Sequence, residues 1–221
     1  MKNPREDTAK TRGKLLEAAG EIFAEKGFRD ATTAEICTRA GTNVAAVNYY
    51  FGSKEALYCE AWRHAFAQSI QAHPPDGGVA VDAPPEERLQ GQVSALLTRI
   101  ADENNREVWF MQREFTNPTG LLEDVMREEI RPLQQRTEKL VRELLGPQIA
   151  EQEVRFCEVG IISQCINPMV LRNRVDDAQK DPLSIVDIDA YARHVVTFSL
   201  AGIAAVRAGG KNKSVRKGNR P

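Results

Sequence analysis

Residues 32–54 read TTAEICTRAGTNVAAVNYYFGSK. Thr32 followed by Glu35 is a capping box, in which each side chain satisfies a free N–H at a helix start. The spacing predicts a short helix over Ala34 to Ala40, ended at Gly41, where only glycine takes the left-handed conformation of a tight turn without a Cβ penalty. A second helix follows at once, with Asn43 as its N-cap and Val44 to Phe51 as its body. Two short helices joined by a glycine-containing turn of about 3–4 residues form a helix-turn-helix, whose second helix enters the major groove of DNA. Gly52-Ser53 breaks the chain, and Ser53 caps the next helix.

Upstream, one helix is predicted from Thr8 to Lys26, with Leu15, Ala19, Ile22 and Phe23 as an apolar stripe and Gly27 as its end. Ile36, Cys37, Ala40, Val47 and Phe51 are its natural partners in a three-helix head. Residues 1 to 7 are polar and read as an arm. Lys2, Arg5, Lys10, Arg12 and Lys14 give the head a local positive face, although the whole chain of 221 residues has a net charge of −1.

The run Gly41, Val47, Tyr49, Tyr50, Phe51, Ser53, Lys54, Glu55, Ala56, Leu57 resembles the signature of the TetR family of transcriptional regulators. Leu15, Leu16, Ala18, Ala19, Ile22, Phe23, Gly27 and Phe28 are similar to that family's first helix. The variant NVAAVNYYFGSKEALY resembles the CecR-like subgroup. The resemblance is dense over residues 10 to 66 and sparse beyond. It implies that Thr33, Tyr49, Tyr50 and Lys54 contact phosphates. Among the residues at the groove-facing start of the second helix, Val44, Ala45 and Ala46 can offer only contact with thymine methyls or close backbone approach. Asn48, where the family more often has an aromatic, is the candidate for a base edge. Asn43 is either a contact or spent on capping, and Tyr50 and Phe51 serve DNA or the core.

The fourth helix, from Ser53 to Ala72, is longer than a three-helix head requires and is expected to bridge both modules. HPPDGGVAVDAPPEE then excludes regular structure across most of its length. Further helices are predicted at Pro85 to Asp102, Arg106 to Phe115, Gly120 to Leu145 with Pro132 kinking it near Glu128 to Ile130, 151 to 166 and 187 to 208. No stretch alternates as a strand would. The expected fold is all-α: an N-terminal three-helix head in residues 1–53, a larger ligand-binding and dimerisation domain in 54–208, and a basic tail without regular structure in 209–221.

The helices at 151 to 166 and 187 to 208 are apolar almost all round and so must be covered on all sides. A second subunit is the expected cover, meeting at Gly160, Tyr191, Val195, Phe198, Gly202 and Ala205. Trp109, Phe110, Arg113, Glu114 and Phe115 lie where such regulators enclose a ligand; ordinary core with solvated charges explains them equally well. Cys157, Ile161 and Gln164 extend the ligand candidates, and Gln164 equally fits a cross-subunit partner or a backbone carbonyl. The exposed connection is expected at Asn167 to Pro182.

The four cysteines show no metal spacing, and no nucleophile or phosphate-loop motif accompanies His64, His73 and His194. No catalytic, metal or cofactor site is therefore assigned, and the chain is not read as an enzyme. No secretory or membrane-spanning pattern is present, so a cytoplasmic location is expected. The expected partners are a double-stranded DNA operator, a small-molecule effector and a second copy of the chain. Three functions remain open: a ligand-responsive repressor, a DNA-binding regulator controlled by a protein partner or by oxidation of Cys157 and Cys165, and an enzyme.

Overall fold

The computed structural model describes residues 4–172, 185 and 187–218. Among them are nine helices and no strand, the all-α class expected from the sequence. The chain forms two compact units, Met1–Ala72 with Asn104–Glu129, and His73–Glu103 with Ile130–Pro221.

The first unit begins with α1 (Pro4–Asp30), which starts four residues before the expected Thr8 because proline suits the first turn of a helix. Gly27, at φ 77°, breaks it where expected. Next come α2 (Thr33–Ala40), α3 (Ala45–Phe51) and α4 (Lys54–Ala72). The unit is completed by α6 (Arg106–Thr116) and the first turns of α7 (Glu123–Leu145). Compactness thus groups α4 and α6 with the head, although both follow residue 53. Leu15, Ala19, Phe23, Ile36, Val47, Leu57, Tyr58, Trp62 and Phe110 are at most 1% exposed and make its core. Phe23 meets Tyr58 edge-on at 4.8 Å, and Phe110 lies 5.3 Å from Tyr58. These contacts tie α1, α4 and α6 together by apolar burial.

The second unit holds α5 (Pro85–Ala101), the rest of α7, α8 (Glu151–Arg172) and α9 (Ile188–Gly218). Its core includes Leu89, Val93, Leu97, Val141, Val154, Ile161, Cys165, Val195 and Ile203. The proline-rich loop before α5 crosses that helix closely. A Cβ on Gly77 (φ 63°) would stand 2.5 Å from the Gly91 carbonyl oxygen, and one on Gly91 would collide with the Asp76 carbonyl. Gly91 is therefore a packing glycine inside a helix, a role that only tertiary contact reveals.

Helix α7 starts at Glu123 rather than Gly120, whose φ of 75° is not helical. It contains Pro132, which leaves the Glu128 carbonyl without an i+4 donor. The division between the compact units falls one residue later, between Glu129 and Ile130. Helix α8 passes the expected end at 166 and reaches Arg172; the remainder of the expected connection up to Pro182 lies outside the described residues. Helix α9 continues to Gly218, so residues 209–218 are helical rather than irregular. Propagation from a formed helix is easy for a lysine- and arginine-rich segment.

Candidate DNA-reading head and effector residues

Helix α2 is closed at both ends by local hydrogen bonds. Thr32 Oγ1 accepts from Glu35 N at 3.2 Å, and Thr32 N donates to Glu35 Oε2 at 3.1 Å. Beyond α2, Gly41 adopts φ 64° and donates to the Thr38 carbonyl, while Thr42 N donates to the Cys37 carbonyl at 2.9 Å. This pair of hydrogen bonds is a Schellman ending. Helix α3 begins at Ala45 rather than Val44, and Asn43 Oδ1 accepts from Ala45 N at 2.6 Å. The Asn43 oxygen is thus spent on capping. Ser53 Oγ accepts from Ala56 N at 3.1 Å and starts α4 in the same way.

Val47 is the buried residue of α3 and turns the opposite face outward. That face carries Val44, Ala45, Asn48 and Tyr49, the last 78% exposed. Ala46, Tyr50 and Thr33 are half-buried, with the Tyr50 ring edge-on to Tyr49 at 4.8 Å. Lys54 is half-buried and places Nζ 4.5 Å from the centre of the Phe28 ring. Lys10 and Lys14 are exposed on α1. Arg12 donates to Glu60 Oε2 at 2.6 Å.

The acidic side of α1 faces inward to other helices of this unit. Glu17 accepts from Gln68 Nε2 at 2.6 Å, lies 2.8 Å from His64 Nε2 and pairs with Arg106. Partial burial pushes its carboxyl up, but the hydrogen bonds from His64, Arg106 and Gln68 outweigh that and hold it at about 2. Arg106 also donates to Glu21 at 2.9 Å, and Arg39 of α2 reaches Glu21 at 3.0 Å.

The α6 candidates separate by role. Phe110 is in the aromatic core, whereas Trp109 and Phe115 are 42% and 55% exposed. Arg113 donates to the Ala24 and Glu25 carbonyls at 3.3 and 2.5 Å, capping the end of α1. Glu114 accepts from Tyr58 Oη at 2.8 Å and from Thr119 N at 3.0 Å. The two charged residues therefore each hold a different element instead of pairing with each other. Burial and then Glu114 push the Tyr58 hydroxyl far above its ordinary range, so it stays a donor. A polar cavity of about 90 Å³ between Gly27, Tyr58, Arg113 and Asn117 lies in the same unit.

Cys157, Ile161 and Gln164 lie on α8 in the other unit. Ile161 is core; Gln164 donates to the Gly160 carbonyl at 3.0 Å and reaches Ser199 Oγ at 3.4 Å. Burial and Glu153 raise the Cys157 thiol, and burial pushes Cys165 up to about 12, the opposite of an activated thiol. Val195 is buried within the protomer, and Tyr191 Oη donates to the Gln164 carbonyl at 2.9 Å. Gly160, Phe198, Gly202 and Ala205 are exposed, together with Phe156 and Val159.

Trp62 carried no signal in the linear pattern. Its side chain is fully buried in α4, and its indole N–H meets no acceptor among the described residues. Seven residues on, Ser69 is also buried and accepts from Asn105 Nδ2 at 2.8 Å. Gln112 is buried on α6. A polar residue at helical spacing from an apolar stripe, as Ser69 is from Trp62, was the available clue.

A capped α2, a glycine turn and an α3 whose outward face carries Asn48 and Tyr49 define a helix-turn-helix DNA-binding transcriptional regulator. Residues 15–61 match the family pattern of bacterial regulatory proteins of the tetR family, and residues 85–203 match the C-terminal domain of the HTH-type transcriptional dual regulator CecR. The chain belongs to the TetR family, in its CecR-like branch. It is similar to CecR of Shigella flexneri, at 31% identity over 60% of this chain and 63% of that protein. It is also similar to the transcriptional repressor NicS of Pseudomonas putida, at 35% identity over 39% of this chain and 40% of NicS. The matches thus span less than two thirds of these relatives. In fold it resembles the FadR regulator of Bacillus subtilis solved in complex with stearoyl-CoA, with TM-score 0.67, 18% identity, and coverage of 86% of this chain and 98% of that one. None of the helices, among the described residues, is long and apolar enough to cross a membrane.

Proposed function

We propose that the protein is a repressor that binds a pseudo-palindromic operator as a homodimer and is released by a small, largely apolar effector. The outward face of α3 carries this reading: Asn48 offers an amide to a base edge, Val44 and Ala45 offer contact to thymine methyls, and Tyr49 is exposed beside them toward phosphates, with Lys54 at the start of α4 as a further phosphate contact once it leaves the Phe28 ring. The dimer is supported by the apolar residues Phe156, Val159 and Phe198, each more than half exposed on α8 and α9. A two-fold pairing of that face relates two heads by a dyad and gives the operator its symmetry.

The effector is supported by the buried, unpaired indole N–H of Trp62. A buried donor without a partner costs about 1–3 kcal/mol, which a ligand acceptor would recover. Trp62 lies on α4, which packs on α1, α3 and α6, so a ligand that shifts α4 acts directly on the reading helix. Release then depends on the ligand's difference in affinity between the two positions of α4. A ligand-bound relative in fold supports the same use of this architecture.

The test is selection of bound duplexes from a random pool by the full-length protein, repeated with small-molecule extracts. A shared inverted repeat, released by an extract fraction, is expected. Trp62→Phe should keep operator binding and blunt release. A single unrepeated half-site would refute the dimeric reading, and unchanged release in Trp62→Phe would refute the effector contact.

A further inference from the structure

By sequence, Arg12 belongs with Lys10 and Lys14 to a positive face available to DNA. The structure separates it from them. Its Cζ lies 5.2 Å from the centre of the Phe51 ring at the end of α3, while Nη2 donates to Glu60 of α4 at 2.6 Å. The contacts continue on both sides. Glu60 also accepts from Arg63 at 3.1 Å, and Arg63 donates to Glu128 at 2.8 Å and lies 3.6 Å from Glu129 in the first turns of α7. On the other side, the Phe51 ring is 6.3 Å from Tyr50, which meets the exposed Tyr49 edge-on at 4.8 Å.

Helix α3 has only seven residues and one buried side chain, Val47. A helix so short has no stability of its own, so its angle is set by whatever grips it. Asn43 caps the start and Val47 holds the middle. Arg12 grips the end. A planar guanidinium covers an aromatic face and binds a carboxylate at once, which an ammonium does poorly.

We propose that Arg12, braced by Glu60, is a positioning residue for DNA reading: it fixes the C-terminal end of α3 through Phe51 instead of contacting phosphate. The proposal rests on α3 being the reading helix. Its corollary is that an acidic residue, Glu60, favours operator binding. The variants Arg12→Lys and Glu60→Gln, with Arg12→Ala, separate this role from a phosphate contact, because plain electrostatics makes loss of a carboxylate near DNA tighten binding.

The experiment measures fluorescence anisotropy of the full-length protein with the selected operator duplex and a scrambled duplex across a salt series. Glu60→Gln and Arg12→Lys should each weaken operator binding about five- to tenfold, in line with one exposed ion pair plus one cation–π contact, and leave the salt dependence unchanged. Scrambled duplex should be affected far less, and the double variant Arg12→Lys/Glu60→Gln should be no worse than either single. Operator binding by Glu60→Gln as tight as or tighter than the parent overturns the proposal. So does an Arg12→Ala variant that weakens both duplexes equally and lowers the salt slope by about 1. Asn48→Ala and Tyr49→Ala serve as references. If they too leave the ranking of duplexes unchanged, α3 is not the reader; if they alter it while the Arg12 and Glu60 variants do not, only the positioning role fails.

Discussion

Gly202→Glu is expected to split the proposed homodimer while leaving the protomer folded. Phe156, Val159 and Phe198 are 58%, 56% and 63% exposed on α8 and α9, and Gly202 is exposed one turn beyond Phe198. Full burial of such a side chain contributes about 1.5–3 kcal/mol, so covering the exposed half contributes about 1 kcal/mol each, and roughly 6 kcal/mol over both protomers. A carboxylate at residue 202 meets its own copy across the two-fold axis. Desolvating two such charges costs several kcal/mol per ion, which exceeds the apolar gain. The protomer itself loses nothing, since a Cβ on Gly202 meets no atom within 4 Å, and glutamate favours a helix over glycine. Sedimentation velocity should show a species of 24.6 kDa, with operator affinity lost and helical content kept. A variant that sediments and melts as the parent does would refute the assignment of this face.

Asn48→Ala should relax preference at one base pair per half-site by roughly 1–3 kcal/mol, whereas Lys54→Ala should weaken all duplexes about equally and flatten the salt dependence; unchanged ranking for Asn48→Ala in a competition assay would remove its base-reading role. Gly91→Ala should destabilise the protein by roughly 1–2 kcal/mol, because a clash of about 2–3 kcal/mol with the crossing loop exceeds the helix-propensity gain, while Gly13→Ala, whose Cβ meets nothing within 4 Å, should be neutral or stabilising. Urea unfolding that ranks the two alike would contradict that packing. Glu17 has a folded pKa of about 2 against an ordinary 4.5, so its contribution is complete above about pH 4.5 and declines as pH falls toward 2. Thermal melts of Glu17→Gln should accordingly lose part of the parent's acid sensitivity in that window, and identical profiles would show that the His64, Arg106 and Gln68 contacts do not favour the ionised form.

What could be read from the chain was what its neighbours along the chain decide. The Thr32–Glu35 box, the Gly41 ending, the Gly27 break and the Ser53 cap each close within a few residues, and each stands where the spacing placed it. Local rules misjudged α3 by one residue, because Asn43 caps from one position further out. The apolar partners of the α1 stripe, Ile36, Cys37, Ala40 and Val47, were legible as core, whereas polar and backbone contacts between distant residues were not. Arg12 looks like surface charge until Glu60, 48 residues away, is brought beside it. Arg113 and Glu114 fit a ligand site or solvated charges equally well by sequence, yet Arg113 holds the Ala24 carbonyl and Glu114 the Tyr58 hydroxyl. Gly91 reads as a weak helical residue until the loop at Asp76 lies across it.

The burial of Trp62 also has a spectroscopic use. The chain contains two tryptophans, one at 0% exposure on α4 and the other, Trp109, at 42% on α6. An aqueous quencher reaches the second and not the first. With Trp109 replaced by phenylalanine, the emission that remains comes from one indole in the α4 interior, whose unpaired N–H makes its wavelength sensitive to any acceptor that arrives. That emission tests the proposed effector contact directly, and candidate molecules can be ranked by titration without a label and without knowledge of the operator.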